Sequence, residues 1–366
     1  MPRPITAVIH NEALQHNLSI AKQHMPNSKV FAVVKANAYG HGIEHVYPSF
    51  QTADGFALLD IAEARRLRTL GWAGPILLLE GIFSAQDLQD CLDLNLSFTI
   101  HSEHQLNWVE QFSRAAHFDV YLKMNSGMNR LGFHPEHYQA AWERLNQLDQ
   151  IQTITHMMHF SDADNQRFGE SGIDYQYTIF EETIRDLPGE STICNSAAIL
   201  RHPELHSDTV RSGIMLYGSS PDYPIHTAQD WDLQPTMSLR SEIIAIQELK
   251  NHDSVGYGST FIAEHAMKIG IVACGYADGY PRVSPTGTPV LVNSIRSKII
   301  GRISMDMLAV DISHVKDAVV GSEVVLWGKS SNGTILPIDE VAASSGTIGY
   351  ELMCAVTARV NFINQE

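Results

Sequence analysis

From residue 30 to about residue 218, apolar β-branched runs alternate with amphipathic stretches in a regular beat. The runs 30–35, 56–59, 76–80, 97–101, 119–124, 153–159, 192–195 and 209–211 read as eight strands. The first of them is continuously apolar from Val30 to Val34, which is the pattern of a parallel strand covered on both faces. Between the strands lie helical patterns at 60–67 and 138–148, and Ser102-Glu103-His104-Gln105 has the form of a capping box opening another helix. Strands alternating with helices predict βα units joined by right-handed crossovers into a parallel sheet. Eight such units, with no glycine-rich dinucleotide turn at a strand exit, predict an α/β fold of the (β/α)8 TIM-barrel type, with residues 5–10 as a lead-in strand.

After Tyr217-Gly218 the pattern changes. Residues 219–235 are rich in Pro, Asp and Ser, and short β-like runs with turn signals follow at 237–247, 268–274, 289–292, 299–303, 308–312 and 322–327. They predict a separate, mainly-β C-terminal domain. The expected division is a barrel over 1–230 and a β domain over 231–366.

Charge and cysteine usage narrow the setting. A net charge of −16 argues against nucleic acid and anionic membranes as partners, because both select a basic footprint. Cys91, Cys194, Cys274 and Cys354 form no CxxC pair and sit in apolar segments, so they read as buried reduced thiols. No apolar run approaches the ~18–20 residues of a membrane span, and the start lacks a signal-peptide core. The expectation is a cytoplasmic protein.

A barrel carries its reactive groups at the carboxyl ends of its strands. In order these are Lys35, Glu80, His101, Lys123 with Arg130 just beyond, His159, Asn195-Ser196 and Arg211. Lys35 ends an apolar run and precedes a glycine-bearing turn; a partly buried lysine loses its proton readily and attacks carbonyl compounds. Loops after the seventh and eighth strands of barrels often hold a phosphate. Here they read Asn195-Ser196-Ala197-Ala198 and Arg211-Ser212-Gly213-Ile214, a hydroxyl before small helix formers and a glycine where close backbone approach is easy. An amine and a phosphate cup together suggest pyridoxal phosphate held on Lys35 as a Schiff base. Arg211, protonated below pH ~12, would donate to the pyridine nitrogen, leaving it without a proton of its own. Such a ring is a weaker electron sink and favours proton removal closely followed by return.

Other motifs carry less. His41-Gly42-Ile43-Glu44-His45 matches the H-x-x-E-H pattern of some zinc peptidases, but it follows a turn glycine directly and no third ligand can be placed. Trp327-Gly328-Lys329-Ser330 lacks the earlier glycine of a P-loop. His156 and His159, three apart in a strand, face opposite sides. In the second domain Gly256-Tyr257-Gly258 reads equally as a hairpin turn and as a presented phenol. The stretches 275–282 and 301–306 hold more polar and aromatic groups than strand connections need.

The chain resembles the bacterial alanine racemases of the pyridoxal-phosphate barrel type. The matching segments run nearly end to end: Ala32-Val33-Val34-Lys35-Ala36-Asn37-Ala38-Tyr39-Gly40-His41-Gly42, Leu122 to Gly132, His159-Phe160, Asn195-Ser196-Ala197-Ala198, Arg211-Ser212-Gly213-Ile214, Gly256-Tyr257-Gly258, Gly275-Tyr276-Ala277-Asp278-Gly279, Met305-Asp306 and Tyr350-Glu351. The resemblance implies interconversion of L- and D-alanine, for peptidoglycan or alanine catabolism, by a cytoplasmic homodimer with active sites at the subunit interface. It implies Lys35 as the residue joined to the cofactor and Tyr257, from the second subunit, as the other base. Tyr39, Ser196, the Gly213-Ile214 backbone and Tyr350 would hold the phosphate. His159 would lie against the cofactor ring, Arg211 at its nitrogen and Arg130 at its phenolic oxygen. Arg130, and the Met305 backbone of the second subunit, would contact substrate carboxylate. In many relatives the lysine matching Lys123 is carbamylated; Asp164, Tyr276 and Arg282 match positions along the access channel. Asn125-Ser126 stands where Asp-Thr is frequent, and Ser304 where many members have cysteine.

Racemisation removes a proton from one face of Cα and returns one on the other, so two bases on opposite faces are the economical arrangement. A free phenol, of pKa ~10, is a poor base near neutrality and needs cationic neighbours. The alternatives are a racemase of broader range, for example on serine, a pyridoxal-phosphate decarboxylase with a similar barrel, and a non-enzymatic carrier of the cofactor. A carrier has no use for Tyr257.

Overall fold

The computed structural model describes residues 3–365. The chain divides into two compact units, one of Asn17–Ala38 and Gly42–Leu216, the other of Met1–His16, Tyr39–His41 and Tyr217–Glu366. Residues 217–230 and the N-terminal segment, expected with the barrel, therefore belong to the second unit.

In the first unit eight parallel strands neighbour one another in the order Ser191–Thr192, Ile151–Met157, Phe118–Lys123, Ser97–Ile100, Ile76–Leu78, Gly55–Leu58, Lys29–Val33, Thr209–Ser212. Between the two end strands the Arg211 amide donates to the Cys194 carbonyl at 3.0 Å, which nearly closes the ring. Val30, Ala32, Val34, Phe56, Ala57, Leu58, Ile76 and Leu77 are completely buried, as their unbroken apolar runs require of strands packed on both faces. Gly55 opens the second strand because a Cβ there would stand 2.6 Å from the Phe31 ring.

The helices alternate as expected. Ile61–Thr69 starts at Asp60, whose carboxylate accepts from the Ala62 amide at 2.7 Å, and Pro135–Asn146 starts on a proline that forfeits no helical hydrogen bond. The capping box at Ser102 does not form. Ser102 precedes Glu103–Glu110 without a side-chain cap; buried Gln105 instead accepts from the His101 amide at 2.9 Å and donates to the Ile82 carbonyl at 2.9 Å. One part-buried and one fully buried loop group outcompete a helix start that water can reach.

The second unit is built on a nine-stranded sheet. Thr6–His10 pairs antiparallel with Met237–Leu249 and parallel with Asn361–Gln365, so the expected lead-in strand of the barrel is a strand of this sheet. Ile295–Ile300 replaces the strand expected at 299–303. Asn293 and Ser294, at φ 47° and 65°, make a two-residue hairpin turn that pairs Val292 with Ile295 and starts the strand earlier. Two helices, Ile338–Ser344 and Gly349–Ala355, complete the unit. Cys91, Cys194 and Cys274 are buried free thiols, but Cys354, on the outer side of Gly349–Ala355, is exposed. Among the described residues, no helix is long and apolar enough to cross a membrane.

Candidate active site

One residue, Val34, separates Lys35 from the end of the strand Lys29–Val33, and the chain beyond the lysine winds the wrong way. Ala36, Asn37, Ala38 and Tyr39 have φ of 54°, 52°, 57° and 50°, and Gly40 continues at 79°. A left-handed turn of non-glycine residues costs roughly 1–2 kcal/mol per residue, so its surroundings must hold it. The Ala38 amide donates to the Val34 carbonyl at 2.8 Å and the Gly42 amide to the Asn37 carbonyl at 2.9 Å. The Asn37 amide donates to Glu63 at 2.6 Å, and Arg66 donates to the Asn37 side chain at 2.8 Å while also pairing with Glu44. Glu44 is thus committed to Arg66 and His41 to Thr236, leaving the H-x-x-E-H stretch a structural one.

Around the carboxyl ends of the strands the side chains are predominantly cationic. Burial first, and then the charges of Arg211, Lys123, Arg130 and Lys35, hold the His159 imidazole well below the usual range. Both ring nitrogens of His159 face donors, Arg211 Nη2 at 3.4 Å from Nδ1 and Asn195 Nδ2 at 3.5 Å from Nε2, which again disfavours the imidazolium. Arg211 is buried; it donates to Thr192 Oγ1 at 2.6 Å and to the Met158 carbonyl at 2.7 Å. Burial lowers its pKa to about 10, so it remains a cation at neutral pH. Lys123 is buried as well, and burial together with Arg211 and Arg130 brings its pKa from 10.5 down to about 7.

Arg130 is held just past its strand by a closed loop. The Asn125 amide donates to the Phe133 carbonyl at 2.9 Å and the Phe133 amide to the Lys123 carbonyl at 2.9 Å. Within the loop Asn125 Oδ1 accepts from the amides of Gly127 at 3.2 Å and Asn129 at 2.9 Å, the turn an aspartate would make in its place. Gly132 is required, since a Cβ there would sit 2.5 Å from the Asn125 amide nitrogen.

Asn195 caps the helix Ser196–Arg201 through the Ala198 amide at 3.0 Å. Buried Ser196 Oγ accepts from the amides of Gly213 at 3.0 Å and Met215 at 3.4 Å, which joins the seventh and eighth strand exits and leaves its own hydrogen free to donate. Ile214 opens the short helix that follows. Asp164 lies in the loop after His159, its carbonyl accepting from Arg201.

The second unit holds the remaining expected residues. Tyr39 stacks on Tyr217 with ring centroids 4.5 Å apart and lies 6.0 Å from the Tyr350 ring; burial raises its phenol far above the usual value, so it is a donor. Tyr257 is 72% exposed, at the tip of the hairpin joining Ser254–Val255 to Phe261–Ile262. Gly256 and Gly258 both have φ 73°, so the hairpin and the presented phenol are one feature rather than alternatives. Met305 is 52% exposed and Arg282 is exposed, while Tyr276 is 37% exposed.

The sequence reading overlooked the cluster that sets the Tyr276 and Met305 loops. Asp278, fully buried, accepts from Arg3 at 2.7 Å, lies 3.4 Å from Arg359 and accepts from the Gly275 amide at 3.0 Å. Arg359 also pairs with Asp306 at 2.6 Å, and the Ala277 amide donates to the Met305 carbonyl at 3.0 Å. The arginines come from both ends of the chain, so no local pattern signals them.

The model of the alanine racemase N-terminal domain matches residues 9–221, and that of the C-terminal domain residues 236–364. The chain belongs to the alanine racemase family. An alanine racemase of Acinetobacter baumannii is 71% identical over 366 residues, all of both chains, and one of Delftia acidovorans is 58% identical over 99% of each. Among solved alanine racemases, the biosynthetic enzyme of Pseudomonas aeruginosa superposes with a TM-score of 0.94 at 42% identity over the whole of both chains. A second, from Acinetobacter baumannii, gives 0.90 at 37% identity over 99% of this chain and all of that one.

Proposed function

We propose that the protein interconverts L- and D-alanine with pyridoxal phosphate as cofactor, acting as a homodimer whose C-terminal domain supplies the second base to the other subunit's barrel. The observation that carries this reading is the set of four cations, Lys35, Lys123, Arg130 and Arg211, brought about His159 at one end of the barrel. Such a donor set suits a phosphorylated carbonyl cofactor and a substrate carboxylate. Ser196, with a free hydroxyl hydrogen, the Gly213-Ile214 backbone, Tyr39 and Tyr350 would hold the phosphate. Arg211, protonated and fixed by Thr192 and Met158, would donate to the ring nitrogen, and His159 would lie against the ring.

When bound, pyridoxal phosphate supplies the carbonyl that the substrate amine joins and an electron sink for loss of the Cα proton. The protein supplies the rest. Lys35 exchanges a proton on one face of Cα, and the phenol of Tyr257 exchanges one on the other. Arg130, with the Met305 backbone of the second subunit, fixes the carboxylate, while Asp164, Tyr276 and Arg282 line the way in. The exposure of Tyr257 supports its presentation to a second copy of the chain. A chiral assay of the purified protein with added pyridoxal phosphate tests the reading. Rapid D-/L-alanine interconversion is expected; turnover of serine at a comparable rate would replace alanine with a broader substrate class, and no turnover of any amino acid would overturn the proposal.

Lys123 is set to be carbamylated and so to orient Arg130. Its amine, with a pKa brought down to about 7, is available in neutral form near pH 7 to attack carbon dioxide and release a proton, placing a carbamate anion among cations. A 13C carbamate resonance should appear with labelled bicarbonate and vanish in Lys123→Met. In buffer free of carbon dioxide the lowered pKa has a stability consequence. Between pH 7 and 10.5 the unfolded chain binds the proton that the fold has lost, so folding stability rises with pH there. Lys123→Met should therefore stabilise most below pH 7, by on the order of 3–5 kcal/mol, and its advantage should shrink towards pH 10.5. Denaturation midpoints compared at the two pH values measure it; an equal effect at both would remove the lowered pKa.

A further inference from the structure

His41, the first residue of the stretch that resembles a zinc motif, is fully buried in the second unit, and its ring bridges two parts of it. Nδ1 lies 3.2 Å from the Tyr39 carbonyl oxygen, and Nε2 lies 2.8 Å from the Thr236 hydroxyl. Thr236 Oγ1 in turn donates to the Tyr217 carbonyl at 2.8 Å. The Tyr217 ring stacks on Tyr39 at 4.5 Å and lies 4.8 Å from the His41 ring. The four residues form one connected group: with the Thr236 proton on the Tyr217 carbonyl, Nε2 is the donor to Thr236, and Tyr39 meets the group through its ring on Tyr217 and its carbonyl beside the imidazole.

The backbone here has little freedom to compensate. Tyr39 is the last non-glycine residue of the left-handed turn, and a Cβ on Gly40 would stand 2.1 Å from the Met353 carbonyl oxygen. A conformation disfavoured in itself persists where contacts over-determine it, and His41 supplies the contacts on the far side of Tyr39.

We propose that His41 is a positioning residue that, through Thr236 and Tyr217, fixes the Tyr39 ring and thereby the grip on the cofactor's phosphate. This rests on the reading of Tyr39 as a phosphate ligand. His41→Phe keeps an aromatic ring against Tyr217 and removes both polar contacts; Thr236→Val breaks the same connected group without touching the histidine. Dissociation constants of pyridoxal phosphate and of pyridoxal, which lacks the phosphate, are measured by fluorescence titration of the cofactor-depleted full-length protein. Each variant should bind pyridoxal phosphate about 10-fold or more weakly with pyridoxal nearly unaffected, and the double variant should be little worse than either single one.

Unchanged affinity for pyridoxal phosphate in the folded variants would overturn the proposal, and so would equal weakening of both ligands. Tyr39→Phe separates the two readings. If it erases the preference for the phosphorylated ligand while His41→Phe and Thr236→Val do not, the positioning role fails and the phosphate reading stands. If Tyr39→Phe leaves the preference intact, the phosphate reading fails and takes the proposal with it.

Discussion

Tyr257→Phe is expected to lower racemisation by about 10²–10⁴-fold while leaving the protein folded and able to bind its cofactor. The phenol stands at an exposed hairpin tip, and its conformation is carried by Gly256 and Gly258, which the substitution does not touch. Stability should therefore change by less than about 0.5 kcal/mol. The informative readout is exchange of the Cα proton with solvent deuterium, followed separately for each enantiomer. With one base removed, the remaining lysine can still exchange the proton of the enantiomer that presents it on the lysine face. Exchange should survive for that enantiomer and collapse for the other. Equal loss of exchange for both enantiomers would contradict the assignment of Tyr257 as one of two bases.

Lys35→Ala should have the larger effect. The cofactor would lose its covalent attachment, read as loss of the mass increment that borohydride fixes on the wild-type protein, and racemisation should fall by at least about 10³-fold. Any residual exchange should carry the opposite enantiomer bias to that of Tyr257→Phe, because the surviving base then serves the other face. The fold should not suffer. Lys35 opposes the charged form of Lys123, so its removal relieves repulsion among the cations of the site. Alanine interconversion that persisted at the wild-type rate after loss of the attachment would sink the scheme.

Much of the barrel was legible because parallel strands announce themselves by unbroken burial. Val30 to Val34 has to be covered on both faces, and its neighbours repeat the pattern, so the eight strands lie within a few residues of where the periodicity puts them. Misreadings occurred where a local pattern competes with a distant partner. Gln105 has the spacing of a capping residue, yet its amide satisfies buried carbonyls of another loop. Thr6–His10 reads as a strand from its composition, but only pairing with Met237–Leu249 and Asn361–Gln365 decides which sheet it enters.

The sequence by itself determined the chemical inventory. An amine after an apolar strand, a histidine, two arginines and a serine-glycine cup stand at strand ends because the βα repeat places strand ends on one rim. Tertiary structure alone decided how that inventory behaves. Lys123 is an ordinary lysine until burial and the convergence of Arg211, Arg130 and Lys35 bring its pKa down to about 7, so that a large share of it is neutral near pH 7. Asp278 gains Arg3 and Arg359 only when the two chain ends meet. The glycine-bearing turn after Lys35 is legible in sequence but its left-handed winding is not, because a one-dimensional pattern records which residues are apolar but not the long-range contacts that sustain a disfavoured backbone.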